Sequence, residues 1–119
     1  MAVNPNNLEE VLISELHISE EEAKMFILIV KSGKLNAEKI SMMLKITFVE
    51  ALRVAKSLIE KGMLIETTSK EYESLHPRFA ISNRYRIRCQ EDNINFKRNT
   101  KIDNIGFVLE HHYENARTK

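Results

Sequence analysis

Apolar residues recur at intervals of three and four near the start of the chain, at Leu8, Val11, Leu12 and Leu16 of "NNLEEVLISEL". That spacing puts them on one side of a helix over about 7–16. The next segment, "SEEEAKMFILIVKSG", opens with Ser19 and Glu22 at the spacing of a capping box. In that motif the serine side chain accepts from the amide three residues on, and the glutamate returns to the cap amide. The helix it starts should run to about Ser32 and end at Gly33, a residue suited to a left-handed turn. "LNAEKISMMLK" repeats the logic, with Asn36 as cap and Ala37, Ile40 and Leu44 on one face of a helix of about eight residues. After a turn of about three residues, Thr47 and Glu50 match a second capping box, and a helix over 47–61 stops at Gly62.

Beyond Gly62 the pattern changes. "MLIETT" suits a strand, "SK" a turn and "EYESLHP" a returning strand, which predicts a hairpin over 63–76. Pro77 fits the first position of a helix through "PRFAISNRYRIRCQED"; "RYRIRC" also alternates like a strand, but helix is the favoured reading. "NINFKRN" reads as a loop. The last segment spaces Ile102, Ile105, Leu109, Tyr113 and Ala116 as a helical seam, with Phe107 and Val108 beside it. Such a seam either caps its own core or pairs two copies of the chain. The expected fold class is mainly α with a small β-hairpin: a winged helix-turn-helix over 1–76, then a C-terminal helical extension over 77–119 that serves dimerisation.

Composition narrows the classes. With 119 residues, 43% hydrophobic and 29% charged, the chain has the make-up of one soluble globular domain. It has no apolar run of bilayer length, and "MAVNPNNLEE" lacks the basic and apolar regions of a signal peptide, so a cytoplasmic, nucleoid-associated location is expected. Cys89 is the single cysteine and reads as a small core residue, while the four histidines show no metal-ligand spacing. Neither a cofactor nor a metal is expected. Nor is an enzyme, because the sequence has no glycine-rich phosphate loop and no nucleophile paired with a base. Charge is the informative bulk property. Residues 1–30 hold six acids and one base, whereas residues 31–70 hold eight bases and four acids. Basic residues placed near phosphates decide duplex binding, not the net charge of +1.

The stretch "ISEEEAKMFILIVKSGKLNAEKISMMLKITFVEALRVAKSLIEKGMLIE" resembles the DNA-binding domain of archaeal TrmB-type transcriptional regulators. The likeness rests on Ser19 to Lys24, Gly33, Ala37 to Ile40, Ile46, Arg53-Val54, Lys56 to Leu58 and Glu60 to Gly62, and spans about residues 8–76. It implies a sequence-reading, usually dimeric regulator of double-stranded DNA. Larger relatives carry a sugar-sensing domain after the winged helix, for which this chain offers no room. Three departures stand out. Lys45 occupies a turn position where such proteins commonly have glycine. Phe48 and Val49 replace polar or basic residues, and Leu52 an aromatic one. Ala51 and Ala55 replace larger apolar side chains.

These changes suggest a joint reading. Positions 48, 51, 52, 55, 58 and 59 share one broad side of the helix, so Phe48 and Leu52 are expected to fill the volume the alanines leave. Burying such a side chain is worth roughly 1.5–3 kcal/mol. The opposite side then presents Val49, Glu50, Arg53, Lys56, Ser57 and Glu60; Thr47, Val49, Arg53, Lys56 and Ser57 are the expected groove contacts, with Glu50 held by its cap. Phosphate contacts are expected from Lys39, Lys45 and the hairpin-tip Lys70, and from the basic run Arg78, Arg84 and Arg88. The function expected is a DNA-binding transcriptional regulator or chromatin-associated factor, with helix 47–61 in the groove and the wing 63–76 on the backbone. The competing reading is a protein-interaction module of the transcription machinery, docking through the apolar patch around Phe48.

Overall fold

The computed structural model describes residues 8–95, 97 and 99–117. Six helices and three short strands follow in the order α1 (Leu8–Leu16), α2 (Glu20–Ser32), β1 (Lys34–Asn36), α3 (Ala37–Leu44), α4 (Phe48–Glu60), β2 (Leu64–Glu66), β3 (Glu71–Ser74), α5 (Pro77–Glu91) and α6 (Thr100–Arg117). Local chemistry sets most boundaries. Ser19 and Glu22 complete the capping box at the start of α2, and Gly33 ends that helix with φ 93°. Asn36 accepts from the Lys39 amide at the start of α3. Pro77 opens α5 from its first turn.

The helix-turn-helix pair illustrates two ways of ending a helix. Gly62 (φ 77°) follows α4, with the Met63 amide donating to the Leu58 carbonyl and the Gly62 amide to that of Ile59. This is a Schellman arrangement, whose left-handed position suits a residue without Cβ. Lys45 does the same after α3 with φ 58° and ψ 44°, while the Ile46 amide donates to the Ser41 carbonyl. A lysine there costs about 1–2 kcal/mol of backbone preference. The lysine therefore adopts the left-handed turn and adds a cation to its tip.

The expected hairpin is present, but it belongs to a three-stranded antiparallel sheet of order β1-β3-β2. The extra strand pairs Lys34 with Glu73, Leu35 with Tyr72 and Asn36 with Glu71. Three residues are too few to show alternation, and Asn36 had a sufficient role as a cap. On β3 the buried Tyr72 and Ser74 alternate with outward Glu71 and Glu73. The wing tip turns at Lys70 (φ 61°), where the Lys70 amide donates to the Thr67 carbonyl.

A single core runs through all six helices and includes Leu12, Leu16, Phe26, Ile29, Ile40, Leu58, Ile81, Ile105 and Leu109. Helices α5 and α6 are thus built into the same core as the winged helix. The seam expected to dimerise proves to be internal: Ile102, Ile105 and Leu109 are buried where α6 crosses α2 and α5, and Tyr113 and Ala116 are half-buried. An apolar stripe packs on the nearest apolar stripe, and here α2 and α5 supply one within the chain. Among the described residues no helix is long and apolar enough to cross a membrane.

Candidate nucleic-acid interface

α4 buries Ala51, Val54, Ala55 and Leu58. Successive helical residues turn by about 100°, so the outward midline opposite that arc carries Val49, Arg53, Lys56 and Glu60. Phe48 and Leu52 lie on the flank toward the wing, and Glu50 and Ser57 on the flank toward α2. The expected burial of Phe48 is overturned: it is 53% exposed, Leu52 39% and Val49 72%. The buried arc is centred on Ala51 and Leu58, and Phe48 lies on the flank opposite the one that meets α2 through Ser57.

Instead, Phe48 and Leu52 line one wall of an open groove of about 240 Å³, faced by Glu66, Lys70 and Tyr72 of the wing and by Asn36, Ala37 and Glu38. Met42 and Met43 of α3 are also exposed. The helix-turn-helix therefore presents an apolar surface around the first turn of its second helix.

The start of α4 departs from a capping box in one respect. Thr47 Oγ1 accepts from the Glu50 amide at 3.0 Å, as expected. The Glu50 carboxylate, however, turns to Arg53, accepting from Nε at 3.2 Å and from the terminal guanidinium nitrogen at 3.0 Å. Hydrogen bonding to Arg53 and its positive charge hold the Glu50 carboxyl below its ordinary pKa, so the pair is ionised near neutrality. Both groups lie at the surface. One edge of the Arg53 guanidinium is thus already engaged by a carboxylate.

Other expected contact residues divide cleanly. Lys39, Lys45, Lys56, Lys70 and Arg78 are exposed. Ser57 is not an outward reader: its hydroxyl donates to Glu22 at 2.6 Å and accepts from Lys61 Nζ at 2.8 Å. Lys61 also meets Glu22 at 2.7 Å, so the buried Glu22 ties the start of α2 to the end of α4. Arg84 is likewise internal, at 5% exposure. It donates to the carbonyls of Leu16 and His17 at 2.9 and 3.1 Å and to Glu91 at 3.1 Å, finishing the C-terminus of α1. Arg88 is half-buried between Asp92 and His17. Of the basic run, only Arg78 keeps the exposure its expected role requires among these three.

A separate cluster sits where α5 begins. His76, Glu110 and Glu114 bring potential ligand atoms within 4.8 Å of one another. His76 Nδ1 accepts from the Arg78 amide, which leaves the ring proton on Nε2, 3.1 Å from Glu110. Its geometry is that of a helix cap with a hydrogen-bonded carboxylate.

Residues 12–86 match the family described as "Sugar-specific transcriptional regulator TrmB". The chain belongs to the TrmB family. The match takes in the helix-turn-helix, the wing and most of α5. No curated protein matches the sequence. Among solved structures, one of TrmBL2, described as "an archaeal chromatin protein" that "shows a novel mode of DNA binding", superposes with a TM-score of 0.64 at 17% identity. The alignment covers 98% of this chain and 45% of that one, so this chain spans less than half the length of TrmBL2. At such identity the likeness speaks for the fold, including α6, which lies beyond the family match.

Proposed function

We propose that the protein is a duplex-DNA-binding regulator or chromatin factor in which α4 lies in the major groove and the β2-β3 wing rests on the backbone. The observation that carries this reading is the outward midline of α4, with Val49, Arg53 and Lys56 at i, i+4 and i+7, flanked by exposed Lys39, Lys45 and Lys70. Membership of a transcriptional-regulator family supports it. Lysines without a fixed partner suit phosphates, so most of the affinity is electrostatic and independent of sequence.

Four lysine-phosphate contacts per protomer give a slope of log affinity against log salt of about −3 to −4, or roughly a hundredfold loss between 50 and 200 mM. Lys56→Ala is expected to weaken binding uniformly across sequences and to reduce that slope by about 1. Fluorescence anisotropy with a labelled duplex over a salt series reads both quantities. The exposed ring of Phe48 favours the second reading, a protein partner of the transcription machinery held against the apolar surface of α3 and α4. Absence of duplex binding at low salt would select it.

We also propose a homodimer. With the inner seam of α6 spent on the core, the surface left for pairing is the outer face around Phe107, Val108 and His111, where Phe107 is 67% exposed. Phe107→Arg should convert a dimer to a monomer in sedimentation equilibrium; a wild-type monomer at tens of micromolar would rule the arrangement out.

A further inference from the structure

We propose that the start of α4 recognises thymine 5-methyl groups in the major groove, with Val49 as the principal specificity-determining residue and Phe48 beside it. The inference rests on the reading that α4 enters duplex DNA, and adds which bases it prefers there.

The argument begins with what a major groove can offer an apolar side chain. Guanine, cytosine and adenine present only hydrogen-bonding edges; thymine alone adds a methyl group. Val49 sits on the outward midline of α4 and is 72% exposed, in line with Arg53 and Lys56 one and two turns on. It has no polar atom beyond its backbone. A side chain at this position either rejects the polar edges or finds a methyl. The nearest polar reader is restrained, because Arg53 gives two hydrogen bonds to Glu50. A free arginine favours guanine; here the Nε–Nη2 edge of Arg53 is held by a carboxylate that offsets its charge, which weakens that preference. Phe48 lies one residue before Val49 on the wing flank, next to Leu52, and extends the apolar contact sideways.

The occupant is set by the surroundings. Exposed Lys39 and Lys45 at the helix-turn-helix, Lys56 further along α4 and Lys70 at the wing tip border the apolar turn with positive charge. An apolar centre bordered by cations fits a groove floor of methyl groups between two phosphate strands. Glu38 and Glu66 lie in the groove between α4 and the wing, away from the outward midline, and do not face Val49 across it.

Uracil provides the test, since it differs from thymine only by lacking the methyl and keeps pairing and charge. Affinity is measured at low salt for a 20-base-pair alternating A·T duplex and for the same duplex with uracil in place of thymine. Loss of one buried methyl corresponds to about fourfold in affinity. The wild-type protein is expected to bind the uracil duplex at least about fourfold more weakly. In Val49→Ala, which removes exposed atoms only and leaves the core untouched, that discrimination should fall to less than half. Equal wild-type affinity for the two duplexes would overturn the inference while leaving DNA binding intact. A uracil penalty undiminished in Val49→Ala would also overturn it, because the preference would then arise from duplex shape. No binding to either duplex would instead remove the reading on which it rests.

Discussion

Arg84→Met is expected to cost about 3–4 kcal/mol of stability, although Arg84 belongs to a basic run that invites a nucleic-acid role. Its guanidinium satisfies the Leu16 and His17 carbonyls at the end of α1 and also meets Glu91. The end of a helix leaves carbonyls without intrahelical partners, and buried ones must find another donor. Hydrogen bonds from a charged donor are worth roughly 1.5–3 kcal/mol each, and stranding a buried acceptor adds a penalty. A domain of this size has a total stability of only about 5–15 kcal/mol. Urea denaturation would show a midpoint lower by roughly 1.5–2 M, taking a slope of about 2 kcal/mol per M. Arg84→Lys should recover less than half, because one ammonium cannot span two carbonyls and a carboxylate. The folded fraction of either variant should bind DNA with unchanged affinity, and a loss of affinity without a loss of stability would reverse the assignment.

The second large effect belongs to Glu22. Burial pushes its carboxyl pKa up, but Lys61, the Ser19 amide and the Ser57 hydroxyl together pull it further down, so the net shift is below the ordinary value. A depressed folded pKa means stability that is complete above the unfolded pKa and lost as pH falls through the folded one. Glu22→Gln should therefore cost about 2–3 kcal/mol at pH 7, somewhat under the figure for a fully buried pair because Lys61 is partly solvated. The gap between wild type and variant should narrow as pH is lowered into the acid range, where the wild-type carboxyl is neutral too. Urea midpoints at pH 7 and in that acid range test this, and a gap that does not change with pH would show that the carboxylate charge is not what matters.

Some features were legible because one local rule decided them. The Ser19 box, the Asn36 cap, Pro77 at the start of α5 and Gly62 after α4 each follow from side-chain chemistry within a few residues, and each lies where the spacing placed it. Tertiary packing decided the rest. Phe48 looked like core because helical phase leaves a broad side undetermined by about one flank; the packing of α4 on α2 and α3 settles which residues close the core. The α6 seam was visible as a pattern, but periodicity does not say whether its partner is α2 or another molecule. Arg84 carried a usable signal: it falls four residues after Ala80 and three after Ile81, inside the buried stripe of α5. An arginine in an apolar stripe points to a buried carbonyl or carboxylate before it points to a phosphate. Glu50 shows the same limit at short range, since two rules compete for one carboxylate and the exposed guanidinium of Arg53 takes it.

The proposed duplex surface is therefore the outer face of α4, the exposed lysines of α3 and its turn, and the wing tip, with Ser57, Arg84 and Arg88 holding the fold beneath. The most direct test is an amide chemical-shift titration of the isotopically labelled protein with a short duplex at low salt. The account predicts that the largest shifts fall on Thr47 to Lys56, on Lys45 and on Lys70. Shifts confined to the outer face of α6, or none at a saturating concentration of duplex, would contradict it.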